Sequence, residues 1–250
     1  SEIELSTSEN VTCTFTNTKH GKISGYKYND ADNSDTTTND RTPVSGWTIF
    51  IDQDGDGELS SGDISTTTNA VGYYEFTGLL PGNYDVYEAL QAGWIVLVVG
   101  SHTVELPAGG DIKDVNFVNV KQGSITVIKN VDENGDGDVD DLGVDKKDSA
   151  DWTWTLNGDE KTTGGKISPV NPGEYIIKEV NKDNYHFVSL VCTGGSDVGI
   201  VGDTATIKLK SGEDVVCTYT NARNLGTLIV KKVVVNDNGG TLKPEDFNFK

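Results

Sequence analysis

A seven-residue stretch that occurs twice limits the fold of this chain more than any other feature. Residues 11–17 read VTCTFTN, and residues 215–221 read VVCTYTN. The match extends without gaps over residues 1–17 and 205–221, and each copy has the pattern of a strand, a Ser/Gly turn and a second strand. We therefore predict a repeat protein in which one structural unit recurs along the chain.

Turn signals divide the chain into four predicted parts. Residues 1–19 are the closing strands of a preceding, truncated repeat, and residues 20–121 are a complete β-sandwich. Residues 122–222 are a second complete sandwich, and residues 223–250 are the opening strands of a following, truncated repeat. Alternating polar and apolar positions run through both complete units, and no stretch has sustained helical periodicity. The predicted fold class is all-β, with tandem sandwich domains.

The charge of the chain excludes several classes of partner. The net charge is −19, whereas binding to nucleic acid or to anionic lipid requires clustered Lys and Arg. The longest apolar run, residues 94–99, is far too short to cross a membrane. We therefore predict no nucleic-acid partner and no membrane insertion. The acidity favours bound cations, with a generally solvated acidic surface as the alternative.

The three cysteines follow the repeat. Cys192 and Cys217 fall in the last part of the second complete unit and can pair across neighbouring strands. Cys13 corresponds to Cys217, and its partner would lie before the first residue, so we interpret the chain as a piece of a longer one. A Cys192–Cys217 disulfide would contribute roughly 3 kcal/mol and implies an oxidising compartment.

Residues 52–63 have the pattern of an EF-hand-type calcium loop. Oxygen-bearing side chains stand at its first, third, fifth and twelfth positions, and glycine stands at the sixth, where the chain turns sharply. Carboxylates so close in sequence repel one another unless a cation lies between them. The predicted calcium ligands are Asp52, Asp54, Asp56, Glu58 (through its backbone carbonyl) and Asp63. A solvated acidic turn is the alternative.

Two further acidic loops follow this pattern less closely. In the second unit the front half of the loop is present, but Gly143 occupies the twelfth position, so Asp141 or Asp145 are further candidates to complete the site. Its predicted ligands are Asp132, Asn134, Asp136, Asp138 and Asp140. The loop after the first strand has Ser34 where a carboxylate is expected and Arg41 at the twelfth position, and its predicted ligands are Asp30, Asp32 and Asp40. Calcium is the expected cofactor.

Alternation along the strands directs three polar side chains of each unit toward the core. In the second unit these are Lys129, Glu179 and Asn221. In the first unit they are Lys27, Glu88 and Asn119. Unpaired buried charges are costly, so groups that recur at matching places are expected to meet one another. In the alternative interpretation, the lysines emerge into solvent at strand ends and the other groups form only hydrogen bonds.

Longer motifs connect both units to known families. The first unit resembles the SdrD B-type repeats of bacterial and archaeal surface proteins in its sequences ISGYKYND, GWTIFIDQDGDGELSSGD, GYYEFTGLLPGNYDVYE and NFVN. The second unit resembles the prealbumin-like, Cna B-type and SpaA-type domains of adhesin stalks and pilins in its sequences GSITVIKNV, NPGEYIIKEV and VVCTYTN. The resemblance implies a string of Ig-like β-sandwiches that hold something away from a cell.

The resemblance also implies a covalent self-modification. In these families a lysine, a glutamate and an asparagine form an intramolecular isopeptide bond, and the three positions carry over to both units. Lys129 would attack the side-chain carbonyl of Asn221 while Glu179 transfers protons, and Lys27, Asn119 and Glu88 would react in the same way. Burial would supply a neutral amine and a protonated acid. The reaction occurs once per chain, so no enzyme activity on a separate substrate is predicted.

We therefore predict a structural protein of the extracellular cell surface, such as an adhesin stalk, a pilus or filament subunit, or an S-layer-like coat. Its partners would be neighbouring repeats and copies of itself. One alternative is a module that binds glycan or a host protein through loops around its tryptophans, which are Trp47, Trp94, Trp152 and Trp154. Another is an accessory region of a large secreted enzyme. The three histidines lie in different units without zinc spacing.

Overall fold

The fold consists of β-strands in the residues that the structure, a computed structural model, describes: 4, 6–139, 152–162 and 164–248. Nineteen strands and a short 3-10 helix at Pro244–Asp246 are the regular elements of these ranges. The predicted all-β class with sandwich domains is confirmed. No helix in the described ranges has the length and apolar character needed to cross a membrane.

The first ten strands build one sandwich. Their bounds are β1 Gly21–Asn29, β2 Thr42–Pro43, β3 Thr48–Asp52, β4 Ile64–Thr67, β5 Tyr73–Leu79, β6 Gly82–Glu88, β7 Trp94–Val96, β8 Ser101–Leu106, β9 Asp111–Ile112 and β10 Phe117–Lys121. One sheet has the order β2-β1-β10-β7, with β5 and β9 also paired to β1, and the other has the order β4-β3-β6-β8. Side chains from both sheets, among them Ile23, Val86 and Phe117, share one hydrophobic core.

The remaining nine strands build a second sandwich. Their bounds are β11 Gly123–Asp132, β12 Thr153–Leu156, β13 Asp159–Thr162, β14 Lys166–Val170, β15 Gly173–Glu179, β16 Tyr185–Thr193, β17 Val198–Val201, β18 Thr204–Leu209 and β19 Asp214–Arg223. The sheet orders are β14-β11-β19-β16 and β13-β12-β15-β18-β17. Ile125, Ile177 and Cys217 belong to its core.

The opening and closing strands of each sandwich are parallel neighbours. β11 pairs with β19 from Ser124↔Asp214 to Asp132↔Ala222, and β1 pairs with β10 from Lys27↔Phe117 to Asn29↔Asn119. Side chains alternate between the two faces of a strand, so every second residue of these strands enters the core. The predicted inward face of β19 is buried at each of its four positions, which are Val215, Cys217, Tyr219 and Asn221.

The two ends of the chain do not form the strands that the repeat pattern predicts for them. The described residues before Gly21 and after Arg223 contain no strand, and Phe15 and Leu228 are 88% and 87% exposed. β11 and β19 satisfy each other's backbone groups along a continuous ladder. The described parts of the two ends form no such ladder, although Lys19 accepts the N–H of Gly109 at 2.9 Å and Asn224 donates its N–H to the carbonyl of Asn184 at 2.8 Å. The assignment of residues 1–19 and 223–250 to truncated repeats stays a prediction.

The two sandwiches meet at a short junction. β10 ends at Lys121, and β11 begins at Gly123. Ser211, in the turn before β19, donates its N–H to the carbonyl of Ala31 at 2.8 Å and its hydroxyl to Asn29 Oδ1 at 2.6 Å. The Ser211 hydroxyl also accepts the N–H of Lys121 at 2.7 Å. These hydrogen bonds tie the end of β1 and the acidic loop after it to the second sandwich.

Candidate functional site

A lysine, a glutamate and an asparagine meet inside the first sandwich. Lys27, Glu88 and Asn119 are 0%, 7% and 0% exposed. Lys27 Nζ lies 2.8 Å from Glu88 Oε2, and Asn119 Nδ2 donates a hydrogen bond to the same oxygen at 3.0 Å. One carboxylate oxygen therefore contacts both the amine and the nitrogen of the side-chain amide.

The second sandwich contains the same three residue types in a slightly different arrangement. Lys129 Nζ donates to Glu179 Oε1, and Asn221 Nδ2 donates to Glu179 Oε2 at 2.9 Å. All three side chains are buried. Here the two oxygens of one carboxylate divide the contacts between them. The structure thus brings together both groups of three residues that the sequence selects.

Strand register explains why these residues meet. In each sandwich the lysine stands on the opening strand, and the asparagine stands on the parallel closing strand. Lys27 pairs with Phe117 and Lys129 pairs with Tyr219, so each asparagine lies two residues beyond the partner of its lysine. A step of two residues keeps side chains on one face of the sheet. The glutamate comes from the facing sheet, as the last residue of β6 or β15.

A tryptophan lies over each lysine amine, which the sequence reasoning missed. Lys27 Nζ lies 4.6 Å from the centroid of the Trp47 ring, and Lys129 Nζ lies 3.9 Å from that of Trp152. Each tryptophan stands two residues before the strand position that pairs with the glutamate. This equal spacing is a property of the strand register, which the sequence alone does not show. The indole ring excludes water from the amine, and when the amine is protonated the ring attracts its positive charge.

Burial shifts the ionisation of these groups toward their neutral forms. It lowers the pKa of Lys27 and that of Lys129 from 10.5 to about 8, although the neighbouring glutamate acts in the opposite direction. Burial also raises the pKa of Glu88, against the attraction of Lys27. An amine with such a pKa is neutral for roughly a tenth of the time at pH 7. Each lysine therefore has a usable nucleophilic fraction at physiological pH.

The asparagine carbonyl oxygens of both clusters lack hydrogen-bond partners, as does Glu88 Oε1. Asn119 Oδ1 and Asn221 Oδ1 are both buried and accept no hydrogen bond. Each amide thus has its nitrogen held by a carboxyl group while its carbonyl oxygen stays free. This arrangement can support attack by the lysine amine on the amide carbon, with a proton delivered to the departing nitrogen.

The predicted disulfide between Cys192 and Cys217 is present. The two residues are direct cross-strand partners on β16 and β19. Cys13 is a free, exposed cysteine. The disulfide ties the strand that carries Asn221 to its antiparallel neighbour.

Three of the predicted ligands of the first calcium loop come together. Carboxylate oxygens of Asp52, Asp54 and Asp63 lie within 4.8 Å of one another. Asp52 accepts the N–H groups of Gly55 and Gly57 at 2.7 and 2.8 Å, which curls the loop around its side chain. The other two predicted ligands, Asp56 and Glu58, lie in the same loop but do not belong to this cluster. Asp56 Oδ1 accepts the N–H of Glu58 at 2.7 Å.

The electrostatics of this loop are those of crowded carboxylates. The N–H of Gly55, foremost among several backbone donors, lowers the pKa of Asp52. Desolvation, and repulsion by the neighbouring carboxylates, raise the pKa of Asp54. A divalent cation would remove that repulsion, and a cluster of hard oxygen donors fits the ligand preference of Ca²⁺. These residues therefore fit a calcium ion.

The loop after β11 has the same backbone organisation. Asp132 accepts the N–H groups of Gly135 and Gly137 at 2.5 and 3.0 Å, as Asp52 does in the first loop. Asn134 Oδ1 accepts the N–H of Asp136, whose Oδ1 accepts the N–H of Asp138. The carboxylates that the structure describes here do not form a group within reach of one ion. Asp140, Asp141 and Asp145, which would complete the site, lie outside the described residues.

The third acidic loop already contains a positive side chain. Carboxylate oxygens of Asp30, Asp32 and Asp40 lie within 4.8 Å of one another. Arg41 Nε, however, lies 3.2 Å from Asp30 Oδ2, which is fully buried. Asp40 Oδ1 is buried without a hydrogen-bond partner. A cation at this loop would have to share Asp30 with the guanidinium group.

The tryptophans do not line an exposed site. Trp47, Trp152 and Trp154 are buried, and Trp94 packs edge-on against Trp47 with ring centroids 5.1 Å apart. They are core residues, with two of them lying over the buried lysines. No histidine belongs to a possible metal-ligand group among the described residues.

Comparison with known families identifies one part of the chain. Residues 121–219 match the family model SpaA_2, described as a prealbumin-like fold domain. These bounds enclose the second sandwich from its first strand to Tyr219. No curated protein matches the chain.

Several solved structures are similar to the chain at low identity. The Bacillus anthracis TIE protein is 18% identical with a TM-score of 0.34, and the match covers 82% of this chain and 34% of that one. GBS52, the minor pilin of Streptococcus agalactiae, is 16% identical with a TM-score of 0.32, covering 85% and 100%. The shaft pilin SpaA of Lactobacillus rhamnosus GG is 15% identical with a TM-score of 0.32, covering 84% and 100%. The match thus spans about a third of the TIE chain.

Proposed function

Because residues 121–219 form a prealbumin-like domain of the SpaA type, we propose that this chain is a structural segment of an extracellular surface protein, either an adhesin stalk or a pilus or filament subunit. The observation that carries the proposal is the recurrence of one buried Lys–Glu–Asn cluster in both sandwiches. Burying three polar groups costs free energy, so their recurrence at the same place in both sandwiches favours a chemical role for them.

The chemistry proposed for each cluster is formation of a Lys–Asn isopeptide bond. The neutral amine of Lys129 attacks the Cγ carbon of Asn221, and a new C–N bond forms. The C–N bond of the side-chain amide breaks, and its nitrogen leaves as ammonia after receiving a proton through Glu179, which contacts both groups. Lys27, Asn119 and Glu88 react in the same way. The isopeptide bond is uncharged, so the buried ammonium group and its desolvation cost disappear.

The position of these bonds suits a part that carries tension. A chain pulled at both ends loads the first and last strands of each sandwich. The lysines lie on the first strands and the asparagines on the last strands. A covalent bond between those strands passes tension directly across the sandwich, so the other strands are not pulled apart. The junction between Lys121 and Gly123 leaves little slack between the two sandwiches.

Bound calcium and the disulfide would add further stability. Asp52, Asp54 and Asp63 form the cluster that best fits Ca²⁺, and the loops after β1 and β11 are weaker candidates. The Cys192–Cys217 disulfide is consistent with an oxidising, extracellular setting. In this role the chain acts on no separate substrate, and its partners are neighbouring repeats or copies of itself.

The experiment that tests the proposal is the intact mass of the reduced, unfolded chain. The wild type is expected to be lighter than its sequence by two ammonia molecules, one for each cluster. Lys129→Ala and Lys27→Ala are each expected to restore one of them. Lys178→Ala, which removes an exposed lysine of β15, serves as the control and should keep the full deficit. A wild-type mass equal to the sequence mass would overturn the cross-linked stalk.

A further inference from the structure

Three tyrosine rings form a continuous patch on the outer face of the first sandwich. Tyr26 and Tyr28 stand two residues apart on β1, and Tyr73 of β5 is the cross-strand partner of Tyr26. The centroid of the Tyr26 ring lies 5.9 Å from that of Tyr28 and 5.3 Å from that of Tyr73. All three residues are half-buried, so the patch is partly open to solvent. We name this set the tyrosine patch.

The segment between β9 and β10 bulges away from β1 and opens a pocket beside the patch. β9 follows β1 as far as Ile112, and β10 joins it again at Phe117. Between them Val115 donates its N–H to the carbonyl of Ser24 at 3.1 Å, and Tyr26 donates its N–H to Asn116 Oδ1 at 2.8 Å. The pocket at this bulge has a volume of about 330 Å³. Its wall includes two tyrosines of the patch, Tyr26 and Tyr73.

The polar groups around this pocket include hydrogen-bond donors and acceptors, one of them positively charged and one negatively charged. Its lining includes Ser24, Lys113 and Asp114. Asp114 has a φ of 62°, a conformation that residues other than glycine adopt uncommonly. Burial first, and then the neighbouring Tyr26 and Asp114, raise the pKa of Tyr28, against the opposite effect of Arg41. The bulge therefore holds a carboxylate and an ammonium group at the rim of the aromatic surface.

This combination matches the chemistry of a sugar ring. A pyranose has an apolar C–H face that packs on aromatic rings, and its hydroxyl groups need both donors and acceptors at the rim. The net charge of −19 disfavours polyanionic glycans and nucleic acid. We propose that the tyrosine patch and the adjoining pocket bind a neutral pyranose oligosaccharide. The site lies on the opposite face of β1 from Lys27, so it does not depend on the cross-linking chemistry.

The test is binding of four neutral hexasaccharides to the whole chain: cellohexaose, chitohexaose, mannohexaose and maltohexaose. Saturation-transfer NMR would identify the sugar protons that contact the protein, and calorimetry would give the affinity. At least one hexasaccharide is expected to bind. Tyr26→Ala is expected to weaken that binding about tenfold or more, because it removes the central ring of the patch. Tyr26→Phe keeps the ring and is expected to retain most of the affinity.

A matched control separates loss of the site from loss of stability. Tyr87→Ala removes a tyrosine from the other sheet, where its ring stacks on Phe50 at 5.6 Å. This variant should bind as the wild type does. Two outcomes would overturn the proposal. Either none of the four hexasaccharides binds, which would leave the tyrosines as strand-pairing residues, or binding survives in the Tyr26→Ala variant.

Discussion

Lys129 and Asn221 stand on adjacent parallel strands, with Asn221 two residues beyond the strand partner of Lys129, so that both side chains enter the same core. Lys27 and Asn119 repeat this relationship in the first sandwich. In each sandwich a bond between the lysine and the asparagine would join the opening strand to the closing strand.

Replacement of Glu179 by glutamine should stop bond formation in the second sandwich alone. The glutamine side chain would fill the same space, but it cannot transfer a proton between the amine and the leaving nitrogen. The reduced chain should then gain the mass of one ammonia relative to wild type. Glu174→Gln, at an exposed position of the same strand, is the control and should leave the mass unchanged. A Glu179→Gln chain that still loses both ammonia molecules would contradict the assigned role.

An unbonded Lys27 should make stability depend on alkaline pH. The Asn119→Ala variant cannot form the bond, and burial lowers the pKa of Lys27 from 10.5 to about 8 in the folded chain. Between these values the unfolded chain binds more protons than the folded chain, so stability should rise with pH across this window. The total gain is on the order of 3 kcal/mol at most. The raised pKa of Glu88 acts at lower pH and in the opposite direction, since its contribution is lost as pH rises.

The measurement is urea unfolding of the Asn119→Ala variant at a series of pH values, followed by tryptophan fluorescence. The control is the double variant Asn119→Ala, Lys27→Met, which removes the titrating amine and keeps a side chain of similar length. As pH falls from about 10 to about 8, the single variant should lose free energy of unfolding relative to the double variant. Parallel pH profiles would show that the buried amine does not titrate in this range.

How much of this site the sequence predicts depends on whether the relevant contact is local. The inward direction of Lys27 and Lys129 follows from alternation along one strand, which a few residues determine. Their meeting with Asn119 and Asn221 requires a parallel pairing between strands that are distant in the chain. Two arguments indicated that contact in advance: the cost of burying unpaired polar groups, and the resemblance to families in which these positions form a bond.

Other features depend on tertiary structure that no short stretch encodes. The sequence at residues 11–17 nearly repeats that at 215–221, yet only the second copy is a strand, because a strand needs a neighbour for its backbone groups. Trp152 is a core residue, and its place over Lys129 depends on how two sheets face each other. The pocket beside Tyr26 exists because the chain leaves β1 between β9 and β10.

Calcium should raise the thermal stability of the first sandwich. At a calcium concentration of about 100 times the dissociation constant, binding would contribute about 2.7 kcal/mol, which corresponds to a rise in Tm of about 10 °C or more. The double variant Asp54→Ala, Asp63→Ala should lose this response, because it removes two of the three clustered carboxylates. Glu105→Ala, at an exposed position of β8, should retain it. Calorimetric melting curves that coincide in calcium and in chelator would contradict the assignment.

Stretching single molecules should reveal the bond in the second sandwich as hidden length. If Lys129 and Asn221 are joined, the residues between them cannot extend, so Lys129→Ala should release about 300 Å more chain than wild type under reducing conditions. With the Cys192–Cys217 disulfide intact, the additional length should fall to about 230 Å, because the residues between the two cysteines belong to the same stretch and cannot extend. Lys178→Ala is the control and should extend as wild type does. Equal extension of wild type and Lys129→Ala would mean that tension reaches every strand of the second sandwich and that no bond protects it.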